Sequence, residues 1–468
     1  MTAPTASPGV RKGGRWIEQW EPEDETFWQE RGSRIAHRNL LLSVLSEHIG
    51  FSVWTLWSVM VLFMGPEYGV DPAGKFLLIS MATLVGAVAR VPYTFAVARF
   101  GGRNWTVISA ALLLLPTTAA WVVMEPGTSY TTFLVVALLT GVGGGNFASS
   151  MTNINSFFPL RRKGWALGMN AGGGNVGVPV VQLAGLAVIG TAGAGHPRIL
   201  LGVYIPLIVL AAACSARWMD NLAPVRNDTG AAKEAARDAH TWIMSFLYIG
   251  TFGSFIGYSF AFGLVLQTQF ARTPLQAASI TFLGPLLGSL IRPVGGQLAD
   301  RFGGARITLW TFAAMGAATL VVVAASLSES LPVFVTGFTA LFVLSGVGNG
   351  STYKMIPAIF HGKAAARGLT GEAAAASARR ISGASMGLIG AVGALGGLGI
   401  NLAFRQSFET VGTGTAAYLT FLVFYGMCFA VTWAVYLRGA TKPTPGPGGP
   451  AAPSTAQEEQ RRAAYAQV

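Results

Sequence analysis

Runs of twenty or more predominantly apolar residues recur along almost the whole of this 468-residue chain, and a run of that length, wound as an α-helix, matches the hydrocarbon thickness of a bilayer. Twelve such spans read at 38–64, 75–98, 105–123, 129–152, 163–190, 198–218, 241–269, 275–299, 305–326, 332–356, 381–404 and 415–437. With 52% hydrophobic and only 11% charged residues, the composition belongs to the membrane class and not to a soluble domain. Only helices or closed barrels satisfy their backbone polar groups in lipid. The expectation is an all-α protein of twelve transmembrane helices.

The net charge of +12 suggests a polyanionic partner until the cations are placed. Arg99, Arg103, Arg161, Arg162, Lys163, Arg217, Arg226, Arg301, Arg306, Lys363, Arg367, Arg379 and Arg380 cluster in the loops after the even-numbered spans, whereas the opposite loops hold fewer, such as Lys75, Arg198, Arg272 and Arg405. This is the positive-inside pattern, so both termini are expected in the cytoplasm and the charge is assigned to orientation and lipid contact, with no nucleic acid. The leader 1–37 is polar and mixed in charge, unlike a signal peptide. Its Trp16, Trp20, Phe27 and Trp28, among acidic residues, suit a short amphipathic piece at the cytoplasmic interface and are assigned to packing, with no specific function. The tail 438–468 is rich in Pro, Gly, Ala and Gln and reads as disordered. Cys214 and Cys428 fall within spans without metal-ligand spacing. Neither disulfide, metal nor cofactor is expected, and with no nucleophile–base pair or soluble domain in view, the chain does not read as an enzyme or a sensor.

An internal repeat divides the chain. RVPYTFAVARFGG begins at Arg90 and RPVGGQLADRFGG at Arg292, while GVGGGNF at Gly141 is echoed by GVGNGS at Gly346. Two pseudo-symmetric six-helix halves follow, 38–218 and 241–437, joined by a cytoplasmic linker at 219–240. Halves so related enclose a central site near the midplane and suit alternating access. Arg90 and Arg292 take equivalent places and are expected to face each other across the cavity. Of the acidic residues, only Glu47 falls within a span, so two intramembrane guanidinium groups meet at most one internal carboxylate. A transported anion supplies the missing counter-charge; a structural ion pair between Arg90 and Glu47, or snorkelling, is the alternative.

Glycines gather in the fourth, fifth, tenth and eleventh spans, at Gly141, Gly143, Gly144 and Gly145, Gly172, Gly173 and Gly174, Gly346, Gly348 and Gly350, and Gly390, Gly393, Gly396 and Gly397. Small residues let helices approach closely in lipid. Beside them stand Asn146, Asn175 and Asn349, amides able to donate to a small ligand.

Asp300, Arg301, Gly303, Gly304 and Arg306 resemble the Gly-x-x-x-Asp-Arg-x-Gly-Arg signature of the major facilitator superfamily, whose charges clamp neighbouring helix ends on the cytoplasmic side; the first repeat has Ala98 where Asp300 stands. More specifically, GVGGGNFASSMTNINSFFP from Gly141 and GVGNGSTYKMIPAIF from Gly346 resemble the paired signatures of the NarK-type nitrate/nitrite porters of that superfamily, as do WEPEDETFWQERGSRIAHRNL from Trp20 and TFGSFIGYSFAFG from Thr251. The resemblance implies the major facilitator fold, an inner-membrane location, nitrate and nitrite as substrates, and a place in nitrate transport and assimilation. By motif position it implies that Arg90 and Arg292 clamp the anion, with Asn175 and Tyr248 donating hydrogen bonds and Phe147 and Phe252 as aromatic walls.

Physical chemistry agrees. Nitrate is planar and weakly hydrated, and a guanidinium presents paired N–H donors to two of its oxygens at once, which a lysine does not. Two cations in a narrow dry pore disfavour closure around a vacant site, which predicts nitrate/nitrite exchange. Glu47 and His48, an acid and an imidazole at membrane depth, are candidate proton carriers and leave nitrate–proton symport as the alternative. A passive anion channel is the reading from another class. Lys354, near the cytoplasmic end of its span, is expected to snorkel or to guide anions inward.

Overall fold

The computed structural model describes residues 15–225 and 227–438. Arg226, the first fourteen residues of the leader and the tail from residue 439 lie outside the described residues. Among those described, twelve helices are long and apolar enough to cross a membrane: α1 (Glu25–Phe63), α2 (Pro72–Phe100), α3 (Gly102–Val123), α4 (Tyr130–Phe157), α5 (Leu160–Ala192), α6 (Pro197–Trp218), α7 (Ala239–Gln269), α8 (Pro274–Phe302), α9 (Gly304–Leu327), α10 (Leu331–Ala366), α11 (Gly371–Val411) and α12 (Thr415–Leu437). Large apolar side chains such as Val122, Trp310 and Val423 are exposed on their outer faces. Such surface suits acyl chains, against which it has no reason to hide.

Helix ends follow local chemistry. Asp71 caps α2 by accepting from the Gly74 N–H at 2.8 Å, and Thr273 with Gln276 forms a capping box at the start of α8. The repeated Arg-Phe-Gly-Gly phrase now has a structural meaning. Gly101 and Gly303, with φ of 87° and 89°, end α2 and α8 in a backbone conformation that side-chain-bearing residues resist.

The chain forms two compact units, one of 1–227 with 259–282 and the other of 228–258 with 283–468. The end of α7 and the start of α8 cluster with the first unit. Polar contacts fix them there. Gln182 of α5 donates to the Ser259 carbonyl at 2.9 Å and Gln267 to the Leu62 carbonyl at 3.3 Å.

In the first unit the leader aromatics pack, as expected of them, against the spanning helices. Strand β1 (Trp16–Ile17) pairs in parallel with β2 (Asn221–Leu222), and helix α1 already begins at Glu25. Ile17, Trp28, Ile35, Phe157, Phe158 and Leu222 share one apolar cluster, with Trp20 packed against it. Asp220 anchors this stitch: it accepts from Arg38 at 2.5 Å and from Asn39 at 3.0 Å, while its own N–H donates to Asn39 Oδ1 at 2.9 Å. Asp220→Ala strips the buried Asn39 amide of its acceptor, a loss of about 1–3 kcal/mol. The expected result is a lower melting temperature and faster proteolysis of the leader, with unchanged resistance counting against the anchor.

In the second unit the linker helix (Thr229–Arg237) is latched to α10 and α11. Arg380 donates to both oxygens of Asp228, Arg367 reaches Glu234 at 2.9 Å, and Lys363 pairs with Asp238. The Arg380 guanidinium, helped by the Ala231 N–H, holds the Asp228 carboxyl below the usual carboxylate range. The Arg380 and Arg367 pairs are substantially exposed, so each contributes little alone.

Candidate functional site

Glycine sets the geometry of the first unit. A Cβ on Gly144 would come within 2.7 Å of the Gly86 Cα and 2.9 Å of the Trp54 ring, so α1, α2 and α4 meet at van der Waals contact only because those positions lack side chains. Trp54 is locked by donation from Nε1 to the Ala82 carbonyl at 2.9 Å. Into this corner projects Arg90, 1% exposed. Its guanidinium carbon lies 4.8 Å from the Phe147 ring centre and 5.3 Å from that of Trp54. Phe51 closes the corner edge-on to both rings, at 5.4 Å from Trp54 and 6.1 Å from Phe147. Aromatic faces attract the cation while keeping water away.

The second unit repeats the arrangement with different residues. Arg292 opens the last stretch of α8, its guanidinium carbon 4.4 Å from the Phe255 ring centre and 5.5 Å from that of Phe252. Phe252 stacks on Tyr248 at 5.2 Å with 11° between planes. Tyr248 precedes, and Phe252 lies within, a π-helical turn at Ile249–Gly253, a distortion frequent at functional sites. On α10, the missing side chain of Gly350 lets that helix ride on the Arg292 carbonyl and the Gly296 N–H.

The structure therefore gathers Arg90 with Phe147 in one unit, and Arg292 with Phe252 and Tyr248 in the other. Asn175, buried on α5, gives one of its N–H groups to the Ala171 carbonyl at 2.5 Å. Trp54 and Phe255 complete the two aromatic platforms and were not singled out in the sequence. Their signal was helical spacing, three residues beyond Phe51 and Phe252, respectively.

Glu47, fully buried on α1, accepts from Ser150 of α4 and from Asn170 of α5, the latter at 2.7 Å. His48 Nδ1 lies 3.3 Å from the Gly173 carbonyl of α5. Ser150 and Asn170 are the other two residues the sequence reading passed over.

Asp300 pairs with Lys354 of α10 at 2.8 Å, a contact that joins α10 to the end of α8. Arg301 lies over the Phe302 ring at 5.1 Å. The pair is more than half exposed on both sides, so it contributes little to stability alone.

Residues 48–398 match the family model described as Major Facilitator Superfamily. Two proteins named "Nitrate/nitrite transporter NarU", from Salmonella typhimurium and Escherichia coli, are each 37% identical over 91% of this chain and 97% of their own length. A "Probable nitrate/nitrite antiporter NarK2" of Thermus thermophilus is 33% identical over 92% of this chain and 98% of its own. With similarity running nearly end to end through twelve helices and a buried arginine on an aromatic platform, the chain belongs to the NarK-type nitrate/nitrite porter family of the major facilitator superfamily, a family of multi-pass membrane transporters and not of enzymes.

Proposed function

We propose that this chain carries nitrate and nitrite across the cell membrane by alternating access, with both termini in the cytoplasm, and that its principal mode is exchange of one anion for the other. The observation that carries the reading is Arg90, an arginine 1% exposed between the faces of Phe147 and Trp54 at membrane depth. Arginine at the centre of a spanning helix costs at least about 2.5–3.5 kcal/mol on insertion scales. A bound oxyanion returns part of that, because charge-assisted pairs strengthen where water is excluded. Arg292 with Phe252, Phe255 and Tyr248 supplies the same chemistry from the other half. Asn175 and Tyr248 are assigned as neutral donors, Phe147 and Phe252 as walls.

Flat aromatic surfaces beside a planar guanidinium favour a flat, delocalised anion over a tetrahedral one with more oxygens to satisfy. Exchange follows from charge: closing around a vacant cationic site in low dielectric is unfavourable, and an anion of either kind removes the penalty. The deciding experiment is counterflow in proteoliposomes. Labelled nitrate should enter faster when nitrite is loaded inside, and phosphate should not compete. Steady electrical conductance without counter-anion would instead make the protein a channel and overturn the reading.

A further inference from the structure

Asn349 of α10 is 3% exposed, and among the described residues neither its Nδ2 nor its Oδ1 meets a hydrogen-bond partner. Its neighbours on the same helix are satisfied: Thr352 donates to the Gly348 carbonyl at 2.7 Å, and Ser351 Oγ lies 2.8 Å from Thr308 Oγ1 of α9. A buried amide with no partner is costly, and leucine, of similar size and shape, would fill the same space without that cost. An amide kept there with both of its functions unused points to a ligand that completes it.

Helical spacing places Asn349 against the anion platform of the second unit. Gly346, Asn349, Gly350 and Tyr353 fall at i, i+3, i+4 and i+7 and form one stripe of α10. A Cβ on Gly346 would run into the Gly288 carbonyl oxygen, and one on Gly350 into that of Arg292, both on α8. At the far end of the stripe the Tyr353 ring centre is 5.7 Å from that of Tyr248 on α7. Beside the stripe Gly348 packs on Thr251, the residue before Phe252. Asn349 therefore faces the seam between α7 and α8, at the level where the Arg292 guanidinium carbon lies 5.5 Å from the Phe252 ring centre.

Resting on the nitrate-carrier reading, we propose that Asn349 is the residue that tells nitrate from nitrite: its amide N–H donates to the third oxygen of a nitrate held on Arg292, and with nitrite that donor goes unused. A guanidinium fork reads a charge and an edge of two oxygens. Nitrate and nitrite carry the same charge and both present such an edge, so the arginine draws little distinction between them. They differ in the third oxygen, which only nitrate has. A site built to hydrogen-bond one atom of its substrate rejects the analogue that lacks it, because the buried donor is then left without a partner. In an exchanger the ratio of the two affinities decides which anion takes the site from a mixture, and Asn349 sets that ratio from the second unit.

The test is counterflow by the purified full chain in proteoliposomes, with the half-saturating concentration measured separately for nitrate and for nitrite, alongside the melting temperature. Asn349→Leu should raise the nitrate value about ten- to a hundredfold, as expected for one lost hydrogen bond to a charged group, and the nitrite value far less. The melting temperature should hold or rise, because an unpaired buried amide has been removed. Asn349→Ala, which adds no bulk, should give the same split if the leucine variant folds poorly. Asn349→Ser keeps a donor and should recover part of the preference for nitrate. An equal rise for both anions, with a lower melting temperature, would make Asn349 a packing residue and overturn the proposal, as would an unchanged nitrate value in the leucine and alanine variants. Absence of nitrate counterflow in the wild type overturns the carrier reading beneath it.

Discussion

Arg90→Lys and Arg292→Lys are each expected to cut nitrate counterflow by about ten- to a hundredfold, the equivalent of one lost charge-assisted hydrogen bond of roughly 1.5–3 kcal/mol. Charge is conserved in both variants, so the loss isolates geometry. A guanidinium held over Phe147 and Trp54, or over Phe255 and Phe252, is attracted by the rings while its planar fork keeps its N–H donors in one plane. An ammonium in the same place is a hydrated point charge with three donors in no fixed plane, and it loses both the stacking and the two-oxygen contact. Expression and melting temperature should stay close to wild type, because the cation and most of the apolar stem remain. Normal counterflow in either lysine variant would show that the arginine is a structural ion-pair partner, as the first alternative held.

Much of this was legible in the chain. Apolar run length fixed the number of helices, because twenty residues of rise match a bilayer and nothing else in the sequence competes. The repeated Arg-Phe-Gly-Gly phrase located both intramembrane arginines and, through Gly101 and Gly303, the ends of the helices that hold them. What escaped the reading depended on which way a side chain turns around its helix. Trp54 and Phe255 are two among many aromatics in apolar spans, and only the glycine-permitted approach of α1 to α2 and α4 makes Trp54 a platform. Ser150 and Asn170 looked like ordinary polar residues of a glycine-rich motif until packing set them on Glu47. Ends were legible only to within a turn or two: α10 and α11 run to Ala366 and from Gly371, past the apolar stretches that announced them, because helical hydrogen bonding continues into polar sequence once the core has nucleated it.

Gly350→Ala, a change of one methyl group, is expected to damage the second unit almost as severely as the loss of its arginine. The new Cβ would run into the Arg292 carbonyl oxygen and lie 2.6 Å from the Gly296 nitrogen and 2.9 Å from the Gly295 carbonyl carbon. All three are backbone atoms of α8, so no rotamer change relieves the collision, and α8 and α10 must part. Overpacking of this kind costs about 1–3 kcal/mol. The melting temperature should fall by several degrees, as expected for a loss of that size, and counterflow should fall with it because the displaced backbone is the one that aims Arg292. Gly399→Ala on α11 is the control: nothing lies within 4 Å of its added Cβ, and alanine is the better helix former, so stability and transport should hold or improve slightly. If Gly350→Ala behaves like Gly399→Ala in both measurements, the close contact of α8 with α10 is not what positions the arginine, and the second half must orient its guanidinium by the aromatic faces alone.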